Sequence, residues 1–233
     1  MSKHLERDVQ KIEQDLLQMA ASVESMIDRA WRSLEERDAT LADAVIDSDE
    51  EIDRREVHIE EDCLKVLALH QPVAIDLRRT ATILKVNNDL ERVADLAVNM
   101  AERSQRLANA HDFVFPKILR QMADSAMQML RESLNVFVQL DPDAAILICQ
   151  ADDEVDQCHA EVVAELYQMM RDDAEMIAPS IHCLAVARHL ERIADHATNI
   201  AEDVIYLVRG DITRHQHQEF SVSQSTKRPS GSR

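Results

Sequence analysis

Asp89-Leu90-Glu91-Arg92-Val93-Ala94-Asp95-Leu96-Ala97-Val98-Asn99-Met100-Ala101-Glu102 decides the fold, because it returns one hundred residues later as His189-Leu190-Glu191-Arg192-Ile193-Ala194-Asp195-His196-Ala197-Thr198-Asn199-Ile200-Ala201-Glu202. Leu, Glu, Arg, Ala, Asp, Asn, Ala and Glu coincide between the two copies. Upstream, Asp49-Glu50-Glu51-Ile52-Asp53 pairs in the same way with Asp152-Asp153-Glu154-Val155-Asp156. Each half therefore reads as a helix, a helix with Asp-x-x-x-Asp, and a helix with Glu-Arg-x-Ala-Asp. Duplication of one three-helix unit accounts for the pattern.

Outward from the repeat, apolar residues keep a three-and-four rhythm. Leu5, Val9, Ile12, Leu16, Met19, Val23, Met26 and Ala30 form one run. Ile83, Val86, Leu90, Val93, Ala97 and Met100 form another, and Val186, Leu190, Ile193, Ala197, Ile200, Val204 and Leu207 a third. Such spacing puts each set on one helix face, as in long bundle helices. Punctuation falls between the periodic runs. Asp38-Ala39-Thr40 ends one helix and caps the next, and Asp141 precedes Pro142 as an N-cap before a first-turn proline. Gln71-Pro72, Phe115-Pro116 and Ala178-Pro179 mark further starts. The spacing predicts helices over 4–37, 40–69, 73–109, 116–139, 142–173 and 180–209. The expected fold is all-α, two pseudo-symmetric three-helix bundles over residues 1–110 and 111–210. Residues 211–233 are polar and are expected to form a disordered tail. His215 and His217 in that tail are read as incidental rather than metal-binding.

Composition narrows the function. Hydrophobic residues make up 45% of 233, enough for a sizeable core, while aromatics are only 3%. None of the first 209 residues is glycine. Phosphate loops, dinucleotide turns and nucleophile elbows need glycine for positive φ or close backbone approach, so those enzyme classes are excluded. A formal charge of −18 argues against a nucleic-acid groove and suits cations or basic partners. The charged start Met1-Ser2-Lys3-His4-Leu5-Glu6-Arg7-Asp8 lacks a signal-peptide core, and no apolar run approaches the roughly 18 residues of a membrane span. Cys63, Cys149, Cys158 and Cys183 form no C-x-x-C pair and read as reduced cysteines of a cytoplasmic protein.

On a helix, residues i, i+4, i+8 and i+11 lie within roughly 80° of arc. Glu91, Asp95, Asn99 and Glu102 therefore share a face, as do Glu191, Asp195, Asn199 and Glu202. Like charges at i and i+4 repel, so the stripe calls for arginine or metal to compensate it. With the middle helix of each unit alongside, Asp49 and Asp53 can face Glu91 and Asp95. Asp152 and Asp156 can likewise face Glu191 and Asp195. Four converging carboxylates make a hard oxygen site suited to Mg, Ca, Mn or iron. On one helix alone, exposed acids paired with Arg92 or Arg192 would be the ordinary explanation. Repetition at matched spacing favours ligands.

At these residues the sequence resembles the PhoU family of phosphate-signalling regulators. The resemblance spans about residues 5–209 and includes His70-Gln71-Pro72-Val73-Ala74-Ile75-Asp76-Leu77-Arg78. It implies two three-helix bundles and metal ions, iron or zinc in clusters in some members. The matching positions are Asp49, Asp53, Glu91 and Asp95, then Asp152, Asp156, Glu191 and Asp195, with Asn99 and Asn199 weaker candidates. It also implies a non-enzymatic negative regulator that contacts a sensor histidine kinase and the ATPase subunit of a phosphate ABC transporter. A bundle with extended acidic faces is expected to form a homodimer, at most peripherally associated with a membrane. One departure is Ala94 and Ala194, where the family often has glycine. A metal-free helical adaptor is the alternative. A di-iron carboxylate oxidase is the more distant one, because such bundles use Glu-x-x-His on two helices. Here Asp156-x-x-His159 is nearest and unrepeated, and His159 reads as a helix-face or core residue.

Overall fold

The computed structural model describes residues 3–110 and 112–210. The expected tail over 211–233, with His215 and His217, lies outside the described residues. Seven α-helices follow in order: α1 (Lys3–Glu36), α2 (Ala39–Ile46), α3 (Asp49–His70), α4 (Ala74–Leu107), α5 (Lys117–Gln139), α6 (Pro142–Asp172) and α7 (Ile177–Arg209). Among the described residues there is no strand. α1 and α4 are each 34 residues, about 50 Å long at 1.5 Å per residue.

The apolar runs in α1, α4 and α7 are buried at every position named above. α1, α3 and α4 close the first bundle, with α2 bridging α1 and α4; α5, α6 and α7 close the second. The bundles join chiefly along α4 and α7, and also through α1 and α5. Their apolar faces merge into one core.

The largest difference from expectation is in the second helix. The helix predicted over 40–69 is broken into α2 and α3 at Asp47-Ser48. The Ser48 hydroxyl and amide both turn back to the Val45 carbonyl, an alternative to helical pairing that short polar side chains offer. Asp49 thereby becomes the first residue of α3. The caps at Asp38 and Asp141 form as read, each carboxylate accepting from two backbone amides. α7 begins three residues earlier than expected, at Ile177, with Pro179 in its first turn where no amide is needed.

Scarcity of glycine has a local consequence. Helix ends that commonly use a left-handed glycine use Arg37 (φ 53°), Gln71 (φ 44°) and Leu140 (φ 53°) instead, and Gly210 (φ 82°) after α7 is the exception. Arg37 offsets its strained backbone by donating to the carbonyls of Leu107 at 2.7 Å and Phe113 at 2.6 Å. It thus ties the end of α1 to the end of α4 and to the connection between the bundles.

Candidate metal site and the repeat seam

In the first bundle, α3 and α4 bring Asp49, Asp53, Glu91 and Asp95 to one face. Burial, then Asp53 and Asp95, pushes the Asp49 carboxyl above its ordinary range. Burial and Asp95 likewise push Glu91 up, against Arg92, with Glu56 and Asp53 adding. Glu56, not singled out from the sequence, belongs to the same cluster: burial raises it, with Glu60 and Asp53 contributing. Its carboxylate and backbone carbonyl accept from the Asn87 amide, at 3.4 Å and 2.9 Å. Arg92 approaches Glu91 at 3.4 Å and Asp95 at 3.9 Å while remaining half exposed, so part of the repulsion is answered locally.

The second bundle repeats the arrangement with one change of chemistry. Burial pushes Glu191 up, Arg188 opposes it, Asp195 adds, His159 opposes and Asp156 adds. Arg188, one turn before Glu191, holds one carboxylate oxygen, while Glu191 Oε2 is buried and has no hydrogen-bond partner. Asp152 lies a turn earlier on α6, beside Cys149, whose thiol is pushed up to about 12 by burial and then by Glu202 and Asp152. His159 stands where Glu56 stands in the first bundle, ten residues after Cys149 on α6 as Glu56 is ten after Ile46. His159 is the half-buried helix-face residue expected, and its position adds that its charge acts on the Glu191 carboxylate. The signal was available in the repeat itself, at the third position of each Asp-x-x-x-Asp-x-x-(Glu/His).

The outer parts of the stripes separate. Asn99 donates to the carbonyl of Asp95 at 2.7 Å, within its own helix. Asn199 turns to Asp89, and Glu202 is buried while Glu102 is exposed. The four residues of each stripe do not act as one row, because a straight helix drifts across its neighbour over three turns. Ala94 and Ala194 are 1% and 0% exposed and pack into the core.

What the two clusters can do follows from charge. Partly buried carboxylates of like sign raise one another's proton affinity, and a cation relieves both repulsion and desolvation. The orphaned Glu191 oxygen fits a metal ligand. Among the described residues, a tighter set occurs elsewhere: Asp15, His58 and Asp62 have ligand atoms within 4.8 Å of one another. That set is already neutralised, since Lys11 and Lys65 donate to Asp62 at 3.0 Å and 2.9 Å. The cysteines offer no thiolate: Cys63, Cys158 and Cys183 are buried and all four are free.

A second polar system lies in the seam between α4 and α7. Asp89 pairs with His196 at 2.8 Å, and Lys85 pairs with the buried Asp203 at 2.8 Å. Arg78 donates to the Leu207 carbonyl at 3.2 Å. Two positions at which the repeats differ in polarity, Asp89 against His189 and Leu96 against His196, lie in this seam, where the two copies must face each other rather than match.

Comparison with known proteins places this architecture. A family model described as the PhoU domain matches residues 16–104 and 119–204. A "Phosphate-specific transport system accessory protein PhoU homolog" of Pseudomonas putida is 35% identical over 216 residues, covering 92% of this chain and 84% of the relative. A homolog of the same description from Aquifex aeolicus is 38% identical, covering 91% and 96%. The crystal structure of PhoU from Pseudomonas aeruginosa superposes with a TM-score of 0.84 at 35% identity, covering 88% of this chain and 99% of that one. The phosphate transport system regulatory protein PhoU from Streptococcus pneumoniae also gives 0.84, at 29% identity.

Proposed function

The chain belongs to the PhoU family, and from that premise we propose that it is a non-enzymatic regulator of phosphate transport. In this proposal it restrains a phosphate ABC transporter and a sensor histidine kinase by direct contact when phosphate is plentiful. It works from the cytoplasm; no helix among the described residues is long and apolar enough to cross a membrane. Metal ions, iron or zinc before magnesium or manganese, are held by Asp49, Asp53, Glu91 and Asp95 and by Asp152, Asp156, Glu191 and Asp195. A bound metal would supply fixed positive charge, bracing α3 on α4 and α6 on α7. The chain's own residues present the carboxylates and keep them partly from water.

The observation that carries the metal assignment is the recurrence of a raised, partly buried glutamate, Glu91 and Glu191, at the same place in both bundles. A metal-free adaptor is favoured by one feature, the pairing of Arg92 with Glu91 and Asp95. The regulatory assignment is tested by deleting the gene. Phosphate-starvation genes should then be expressed in phosphate-rich medium; an unchanged response removes the assignment.

A further inference from the structure

The α4–α7 seam is electrostatically lopsided. The helices run antiparallel, and the Asp89–His196 pair sets their register. A step of seven residues is two turns and returns to nearly the same face. Moving one such step from that pair, along α4 one way and α7 the other, sets Leu96 opposite His189. A second step sets Arg103 opposite His182. At the Asp89 end, Asp89 is answered by His196 and Asp203 by Lys85. At the Arg103 end the charges acting on the histidines are themselves cationic: Arg103 and Arg106 on His182, and Arg103 and Arg192 on His189.

The same end holds an unusual set of unanswered nitrogens. Arg103 Nε, His182 Nδ1 and both ring nitrogens of His189 are buried and have no hydrogen-bond partner. Leu96 across the seam offers His189 no acceptor. A buried donor left without an acceptor is costly, and a guanidinium cannot shed its charge. Burial first, then Arg103 and Arg106, hold His182 below its ordinary range. Both histidines remain partly exposed although these nitrogens are covered, so a small ligand would enter by parting the side chains over them. A cation would meet Arg103, whereas an anion with several acceptor oxygens would satisfy the guanidinium and both imidazoles together.

We propose that this end of the α4–α7 seam binds a small oxyanion, inorganic phosphate or an isosteric anion, between Arg103, His182 and His189. The site shares no residue with the acidic clusters, although His189 stands two residues before Glu191 on α7, and it does not depend on the regulatory assignment. Both bundles contribute to it, Arg103 from the first and the histidines from the second, so occupancy would fasten one repeat to the other.

The test titrates the full-length protein with inorganic phosphate and, separately, with sulfate, following imidazole nitrogen shifts. Saturable shifts of His182 and His189, with exposed His58 unmoved, are expected. Arg103→Gln should weaken binding at least about tenfold, the effect of losing one charge-assisted hydrogen bond. His182→Gln, checked for retained helicity, should weaken it in the same direction and serves if Arg103→Gln does not fold. Absence of saturable shifts with either anion at millimolar concentration overturns the proposal. So does binding that is unchanged in a folded variant at either position.

Discussion

At Glu91 and Glu191, burial and a neighbouring aspartate act in the same direction, and an arginine opposes them in each case. Because the folded-state proton affinity is raised, ionising these groups works against folding. That cost is complete above the raised value and vanishes as pH falls below the ordinary glutamate value of 4.5. A metal removes the cost at neutral pH, and protons compete with it as pH drops. Glu91→Ala combined with Asp95→Ala should therefore lower metal content by about half, one of two sites, while helicity is retained. Elemental analysis and circular dichroism check this. Loss of helicity would make the carboxylates structural, and unchanged metal content would place the metal elsewhere. Glu56 and His159 show how much a residue's role depends on its neighbours. Neither stands out by type, yet each lies within the field of the raised glutamate of its bundle.

At the scale of elements, the chain ends its helices without glycine until residue 210. Leu140 adopts φ 53° and ψ 42° after α5, donating its amide to the Val136 carbonyl, with its side chain 45% exposed. A left-handed conformation costs a branched residue about 1–2 kcal/mol, and glycine's larger unfolded-state freedom returns part of that. Leu140→Gly should accordingly stabilise the protein by about 0.5–1 kcal/mol in urea unfolding. A destabilised variant would mean that the Leu140 side chain contributes packing despite its exposure. Breakage of the expected second helix belongs to this scale as well. Asp47-Ser48 carries no proline or glycine to announce a break, and the serine's bonds to Val45 matter only once α2 is held across α1 and α4.

For the molecule as a whole, the two repeats share a core rather than meeting at a surface. α4 packs as extensively on α7 as α6 does, although α4 belongs to the other bundle. Residues 1–110 expressed alone would expose Leu96, 2% exposed in the whole chain, and strip Asp89 of His196. That fragment should lose cooperative thermal unfolding or self-associate. Sharp two-state unfolding of a monomeric fragment would show the bundles to be independent domains. Fold class, duplication and the core faces were legible because helical periodicity and a hundred-residue repeat are local signals, written wherever one face must be buried. That Asp49, Asp53, Glu91 and Asp95 would feel one another's charge could also be anticipated, since each pair sits one turn apart on adjoining helices. The seam could not. Which residues of α4 meet which of α7 depends on the depth and direction at which two whole bundles pack, and no spacing within either helix encodes that register. Tertiary packing alone therefore decided that Asp89 finds His196, and that Arg103, His182 and His189 are left together with buried nitrogens and no acid between them.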